Sequence, residues 1–266
     1  MEVNNQTECD LLEATPKHGD DKNKNIHHWR RCGIGQYFVR EHKHHTPPSK
    51  EHPDGTTSTT RAYCADNPHH KDKDQLSFDE IQHITMTYFA VLSGPPTAGG
   101  ALTKKFSNAD QYNSEIRGWT QYWNDIFKLD HPLDPNVVKA LIATESSFDL
   151  HPKKHPEVYG LMQIIGKTHQ YLSGEKGELK DHFICISASE LLDASCNICS
   201  GIRWLFRKIE TASWLLQRSA TWEETVEDYK AILELRIHNK PYNPQPMKDF
   251  RQYHKWLSDE SHEKIF

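Results

Sequence analysis

The segment Ser93-Gly-Pro-Pro-Thr-Ala-Gly-Gly100 constrains the fold of this chain more than any other stretch. Two prolines and three glycines within eight residues break both helix and central strand, because proline lacks a backbone donor and glycine gains too much freedom. The segment reads as a linker, and the chain on its two sides differs in kind. Before it, the first 75 or so residues are polar and rich in His, Lys, Asp and Pro, with little helical or strand periodicity. Ten of the 18 histidines fall at or before His83, including the run His42-Lys43-His44-His45 and His52. After it, apolar residues recur at helical spacing almost to the end. The expected organisation is an N-terminal His- and Cys-containing region over 1–92, a linker over 93–104, and a mostly helical domain over 105–266. No internal repeat is visible.

Two readings of the N-terminal region stand side by side. One is a small loop-rich module held by Cys32, Cys64 or a metal. The other, slightly preferred, is an irregular and partly disordered arm. Within it, residues 76–92 change character: Ser77 can cap a helix with Asp79 and Glu80 in its first turn, and Ile81, Ile84, Tyr88 and Val91 follow at near-helical spacing. The six cysteines permit up to three disulfides, with pairing open. Cys196-Asn-Ile-Cys199 has metal or redox spacing, but no second pair follows, so structural or unpaired thiols are the preferred reading.

Composition narrows the class. A chain of 266 residues can bury a sizeable core, and 36% hydrophobic with 26% charged residues fits a polar-surfaced protein. No run of 18 apolar residues exists, so no membrane span is expected. A net charge of -5 gives no electrostatic reason to expect nucleic acid as a partner. The first residues lack the basic start and apolar run of a secretory signal, and Met1 favours export by another route over a removed leader.

Asp134-Pro135 opens a helix, with a capping acid followed by proline in the first turn. Val137, Val138, Leu141, Ile142 and Phe148 supply the apolar positions that follow. Glu145 lies seven residues after Val138, four after Leu141 and three after Ile142, on the apolar stripe. A carboxyl group there loses water, which favours its protonated form and suits a proton donor. Taken alone, Glu145 also reads as a buried glutamate paired with an arginine. Further on, Thr221 and Glu224 form a capping box, and Trp222, Val226, Tyr229 and Leu233 fall at spacings of four, three and four, turning Tyr229 inward.

Three segments then carry a family likeness. Glu145-Ser146-Ser147-Phe148, Gly160-Leu161-Met162-Gln163, and Asn197-Ile198-x-x-Gly201-x-x-x-Leu205, in this order and spacing, resemble the signature segments of soluble lytic transglycosylases and goose-type lysozymes. The likeness covers roughly residues 117–235. It implies a mainly α, lysozyme-like α+β fold and cleavage of peptidoglycan glycan strands between N-acetylmuramic acid and N-acetylglucosamine. Glu145 would be the general acid and base. Ser146, Gly160, Met162, Gln163 and Tyr229 would be the substrate-binding residues, and no metal or cofactor is needed. Physically, Gly160 lets the backbone approach a sugar, Met162 offers a soft apolar face, and Gln163 can donate and accept. Leu161 reads as core. Asn197 suits the cap of the next helix, whose stripe is Ile198, Ile202, Leu205 and Ile209, and Gly201 suits close helix packing. In the family, a tyrosine at the position of Tyr229 contacts the catalytic glutamate and is followed by asparagine. Here that next residue is Lys230. Many family members also place a serine nine residues after the glutamate, where this chain has Lys154 in a basic loop.

A lytic transglycosylase manages with one carboxylate, whereas a hydrolase (a true muramidase) needs a second to hold water. Asp149 and Glu157 are the candidates for that second role, and transglycosylase chemistry is the preferred expectation. Two alternatives belong to other classes: a non-catalytic glycan-binding protein of lysozyme-like fold, and zinc-dependent chemistry in the His-rich N-terminal region, which lacks a compact pattern such as His-Glu-x-x-His. The setting that fits a wall-cleaving domain made in the cytoplasm without a leader is an antibacterial effector, a toxin delivered by a machine such as type VI secretion into the periplasm of a target cell. That setting implies an immunity protein over the groove at Glu145 and a secretion-system component as partners. A phage or conjugation component fits as well.

Overall fold

The structure, a computed structural model, describes residues 28–67, 72–152 and 157–263. Cys9, Lys154 and the first 27 residues of the expected irregular arm lie outside them. Within them the fold is mainly helical, as expected, with four short two-stranded pairings.

The described part of the N-terminal region is a folded module, which corrects the preference for an irregular arm there. Strand β1 (Gln36–Val39) pairs antiparallel with β4 (Tyr63–Asp66), and β2 (His42–Thr46) pairs with β3 (Thr56–Thr60). A Cys32–Cys64 disulfide closes the module. A sequence scan misses it because these strands are short, β2 and β3 are polar throughout, and only the disulfide and a few buried side chains such as Phe38 and Ala65 anchor the module. The histidines of β2 lie on an exposed ribbon, and among the described residues no group of three His, Cys, Asp or Glu side chains could hold a metal.

The expected division at residues 92 and 104 is also corrected. Strand β5 (Gln75–Ser77) pairs in parallel with β8 (Phe183–Cys185), far along the chain. Helix α1 (Phe78–Tyr88) is capped by Ser77 as anticipated, and it buries Ile81 and Ile84 against the helical core. Trp29 is buried in that same core, and its indole donates to Asp125 at 2.8 Å. Arg30 is enclosed between Glu80, which it grips through two nitrogens, and Asp74. Three planar donors of Arg117 hold the carbonyls of Gly94, Leu92 and Pro96 at 2.9–3.2 Å. Next, α2 (Gly100–Lys105) buries Leu102 and packs on the C-terminal helix. The Pro/Gly composition does break the helix. Hydrogen bonds supplied from other elements make the segment a fixed strap instead of a free linker.

Two helices form the frame for the site. Helix α3 (Asn113–Phe127) presents Trp119, Tyr122 and Trp123, all essentially buried. Its indoles donate to Ser195 Oγ at 2.7 Å and to the Cys199 carbonyl at 3.1 Å, which ties it to α6 (Ala194–Leu216). Helix α6 is central: α1, α3, α5 (Gly166–Leu172) and α7 (Trp222–Tyr229) all pack against it. Helix α4 (Pro135–Glu145) lies between α3 and α9 (Gln245–Glu263), with the short α8 (Leu233–Ile237) following α7. Among the described residues no helix is long and apolar enough to cross a membrane.

Candidate active site

Helix α4 starts as the sequence dictates: the Asp134 carboxylate accepts the Asn136 N–H at 2.8 Å, with Pro135 behind it. Val138 through Ala143 are buried, and Glu145 is the last helical residue. The chain then turns sharply. Ser147 and Phe148 both take left-handed backbone, with φ of 56° and 64°. Phe148 is fully buried beside Phe106. Two consecutive non-glycine residues in that region are strained, and the buried Phe148 ring is what holds them. The helix therefore stops at Glu145, whose side chain remains 19% exposed. Ser146 turns inward: it is 4% exposed and its hydroxyl donates to the Ile142 carbonyl. This corrects its expected role as a sugar contact.

Residues 160–163 form the turn between β6 (Val158–Tyr159) and β7 (Ile164–Ile165). Gly160 has φ of +66°, and a Cβ there would lie 2.1 Å from Asn197 Nδ2. Glycine is needed here to leave room for the asparagine. The Asn197 amide accepts the Met162 N–H at 2.8 Å and donates to the carbonyls of Tyr159 and Leu191 at 3.0 and 2.9 Å. Asn197 is thus a buried latch for the turn. The cap of α6 is Asp193, which accepts the Cys196 N–H at 2.9 Å, so the expected capping role of Asn197 is corrected. Met162 is fully buried, and the absence of a side chain at Gly201 leaves room for its sulfur. Met162 is packing and not a sugar platform, and Gly201 admits this turn instead of another helix. Leu161 is core, as read from sequence. Gln163 is half-buried, with its amide nitrogen donating to the Gly160 carbonyl at 2.7 Å.

Helix α7 opens with the anticipated Thr221–Glu224 capping box. It carries Tyr229 inward, and the phenol donates to the Met162 carbonyl at 2.7 Å. Burial, with the charge of Glu145 added, pushes the Tyr229 phenol well above its ordinary range, so it is a neutral donor. The phenol's hydrogen bond goes to the turn, while Glu145 is near enough for its charge to act on it. The group that reaches the carboxylate is the next residue. Lys230 Nζ lies 2.5 Å from Glu145 Oε1, with its side chain only 7% exposed. Sequence reading marked Lys230 as a departure but not as a partner of Glu145. Its position directly after an inward tyrosine at a helix end was the available signal.

The two candidate second carboxylates are on the surface. Asp149 accepts the His151 N–H at 2.9 Å in a local turn, and Glu157 is exposed before β6. Cys196 and Cys199 are fully buried, and burial pushes both thiols up, away from the thiolate that binds metal. The arrangement brings together one accessible carboxylate, one ammonium and a turn fixed by Asn197 and Tyr229.

Residues 126–229 match the family model described as Transglycosylase SLT domain. That span holds Glu145, the Gly160–Gln163 turn and Asn197, and it ends on Tyr229. Among solved structures, the 70 kDa soluble lytic transglycosylase from Escherichia coli is similar at 15% identity, with a TM-score of 0.31. The likeness covers 68% of this chain and 30% of that one, so the chain spans under a third of that protein's length. No curated protein sequence matches the chain.

Proposed function

We propose that this chain, which carries a transglycosylase SLT domain over residues 126–229, cleaves the glycan strands of bacterial peptidoglycan by lytic transglycosylation. Glu145 gives a proton to the oxygen bridging N-acetylmuramic acid and N-acetylglucosamine. The muramyl N-acetyl group assists departure of the leaving sugar. Glu145, now a carboxylate, takes the proton of the muramyl C6 hydroxyl as that oxygen bonds to C1. The proton returns to its starting place, no water is added, and the product is a 1,6-anhydro end. The observation that carries the reading is Glu145 itself: it ends α4 with a partly exposed carboxylate beside the residues that fix the Gly160–Gln163 turn. Gly160 and Gln163 remain the backbone and side-chain contacts proposed for sugar. Transglycosylation is favoured over hydrolysis because Asp149 and Glu157 lie on the surface, with the Asp149 carboxylate engaged in a local turn.

The test is Glu145→Gln on purified peptidoglycan, with products read by mass spectrometry. The expected result is loss of cleavage with an unchanged melting curve, and anhydro ends from the parent enzyme. Turnover by the variant at the parent rate overturns the assignment of Glu145, and reducing ends from the parent overturn transglycosylation. The Cys32–Cys64 disulfide supports action in an oxidising compartment, in line with an exported antibacterial effector acting in a target periplasm. An immunity protein over Glu145 and a secretion component are the partners that reading requires. Lysis on periplasmic but not cytoplasmic expression is its expected signature, and harmless periplasmic expression counts against it.

A further inference from the structure

The pair of Glu145 and Lys230 poses a chemical problem for the reaction just described. A carboxylate held 2.5 Å from an ammonium has no proton to give, yet the first step needs one. If Glu145 becomes neutral while Lys230 stays in place, a nearly buried ammonium loses its counter-charge, because among the described residues no other carboxylate forms an ion pair with it. An uncompensated buried charge is far more costly than a buried pair. For as long as Lys230 keeps its charge, its head group needs another anion before Glu145 can act as an acid. Its flexible four-carbon stem allows such a transfer. Glu145, at 19% exposed against 7% for Lys230, is the more accessible member of the pair.

The geometry points to Lys230 as a specificity-determining positioning residue, which releases Glu145 for acid catalysis when the substrate itself brings a carboxylate. This rests on the proposed function above. Peptidoglycan strands carry such groups on the peptide attached to the muramyl lactyl ether, whereas a neutral N-acetylglucosamine polymer carries none. In the resting site the ammonium pairs with Glu145. When an anionic strand binds, the ammonium moves to the substrate carboxylate, Glu145 takes a proton from a solvent hydronium ion, which becomes water, and the cycle of protonation and C6-hydroxyl deprotonation follows. A neutral strand binds without drawing the ammonium away, so Glu145 stays ionised and the bridging oxygen goes unprotonated.

The experiment compares cleavage of peptide-bearing peptidoglycan fragments and of chitohexaose by the full chain, Lys230→Met and Lys230→Gln, with melting curves to establish that each variant is folded. The parent enzyme is expected to prefer the anionic substrate by about 100-fold, the scale of a lost buried-charge partner. Both variants should raise the rate on chitohexaose and shrink that preference to below about tenfold. A preference unchanged in both variants, or equal losses on both substrates as a merely structural lysine would give, overturns the proposal. Glu145→Gln is run beside them: if it cleaves peptidoglycan at the parent rate, the reading of Glu145 fails. If only the lysine variants behave like the parent, the lysine proposal alone fails.

Discussion

Gly160→Ala tests whether the turn beside Glu145 is held by Asn197. Two costs arise from the structure. The backbone at this position has φ of +66°, and the left-handed region costs a residue with a Cβ about 1–2 kcal/mol. The new Cβ would also stand 2.1 Å from Asn197 Nδ2 and 2.4 Å from its Cγ. An exposed side-chain end would swing away cheaply, but this amide makes three hydrogen bonds inside the protein, to Met162, Tyr159 and Leu191. Displacing it strips at least one buried backbone group of its partner, at about 1–3 kcal/mol. The expected loss is about 2–5 kcal/mol, a large share of the stability of an ordinary domain. Urea unfolding of the single variants and of Gly160→Ala/Asn197→Ala measures it. With the asparagine already removed, Gly160→Ala should cost only the backbone part, so the two changes should fail to add by at least about 1 kcal/mol. A loss under 1 kcal/mol in the single variant, or strict additivity in the double, refutes the latch.

Two further outcomes follow from other parts of the molecule. Replacing Cys32 and Cys64 by serine removes a cross-link spanning 32 residues and should lower stability by about 3–4 kcal/mol, measured by denaturant titration, with no further loss on adding a reductant. The Glu224 carboxyl is held down from its ordinary 4.5 to about 2, first by its hydrogen bond to Arg218 and then by the Thr221 backbone. Because the folded value lies below the unfolded one, its contribution is fully present above about 4.5 and is lost as pH falls toward 2. Glu224→Gln should flatten the acid limb of the melting temperature between those values, and an unchanged limb would mean that the pair with Arg218 does not contribute.

Three helix starts were readable because they depend on neighbours within four residues, whereas the cap of α6 fell on Asp193 and not on Asn197. Ser77, Asp134 and Thr221 each cap the helix they were expected to cap, since a short side chain folding back on its own N–H groups needs nothing from the rest of the chain. The inward face of Tyr229 was readable for a related reason, since apolar spacing along a helix reports which side is dry. Partners were not readable. Spacing brought Tyr229 inward but could not say that its hydroxyl would meet the Met162 carbonyl instead of Glu145. Motif position made Ser146 and Met162 sugar contacts, whereas both are buried by contacts from elsewhere.

By itself, then, the sequence determined a helical core with Glu145 at the C-terminal end of a capped helix, because periodicity and capping are local and additive along the chain. Only the tertiary structure decided that residues 93–99 form a strap, that Asn197 latches the turn, and that Lys230 faces Glu145. Those outcomes depend on side chains tens of residues apart, or 85 in the case of Glu145 and Lys230, meeting within hydrogen-bonding distance. Such a meeting is set by how α4, α6 and α7 pack, and no pattern along one element encodes it.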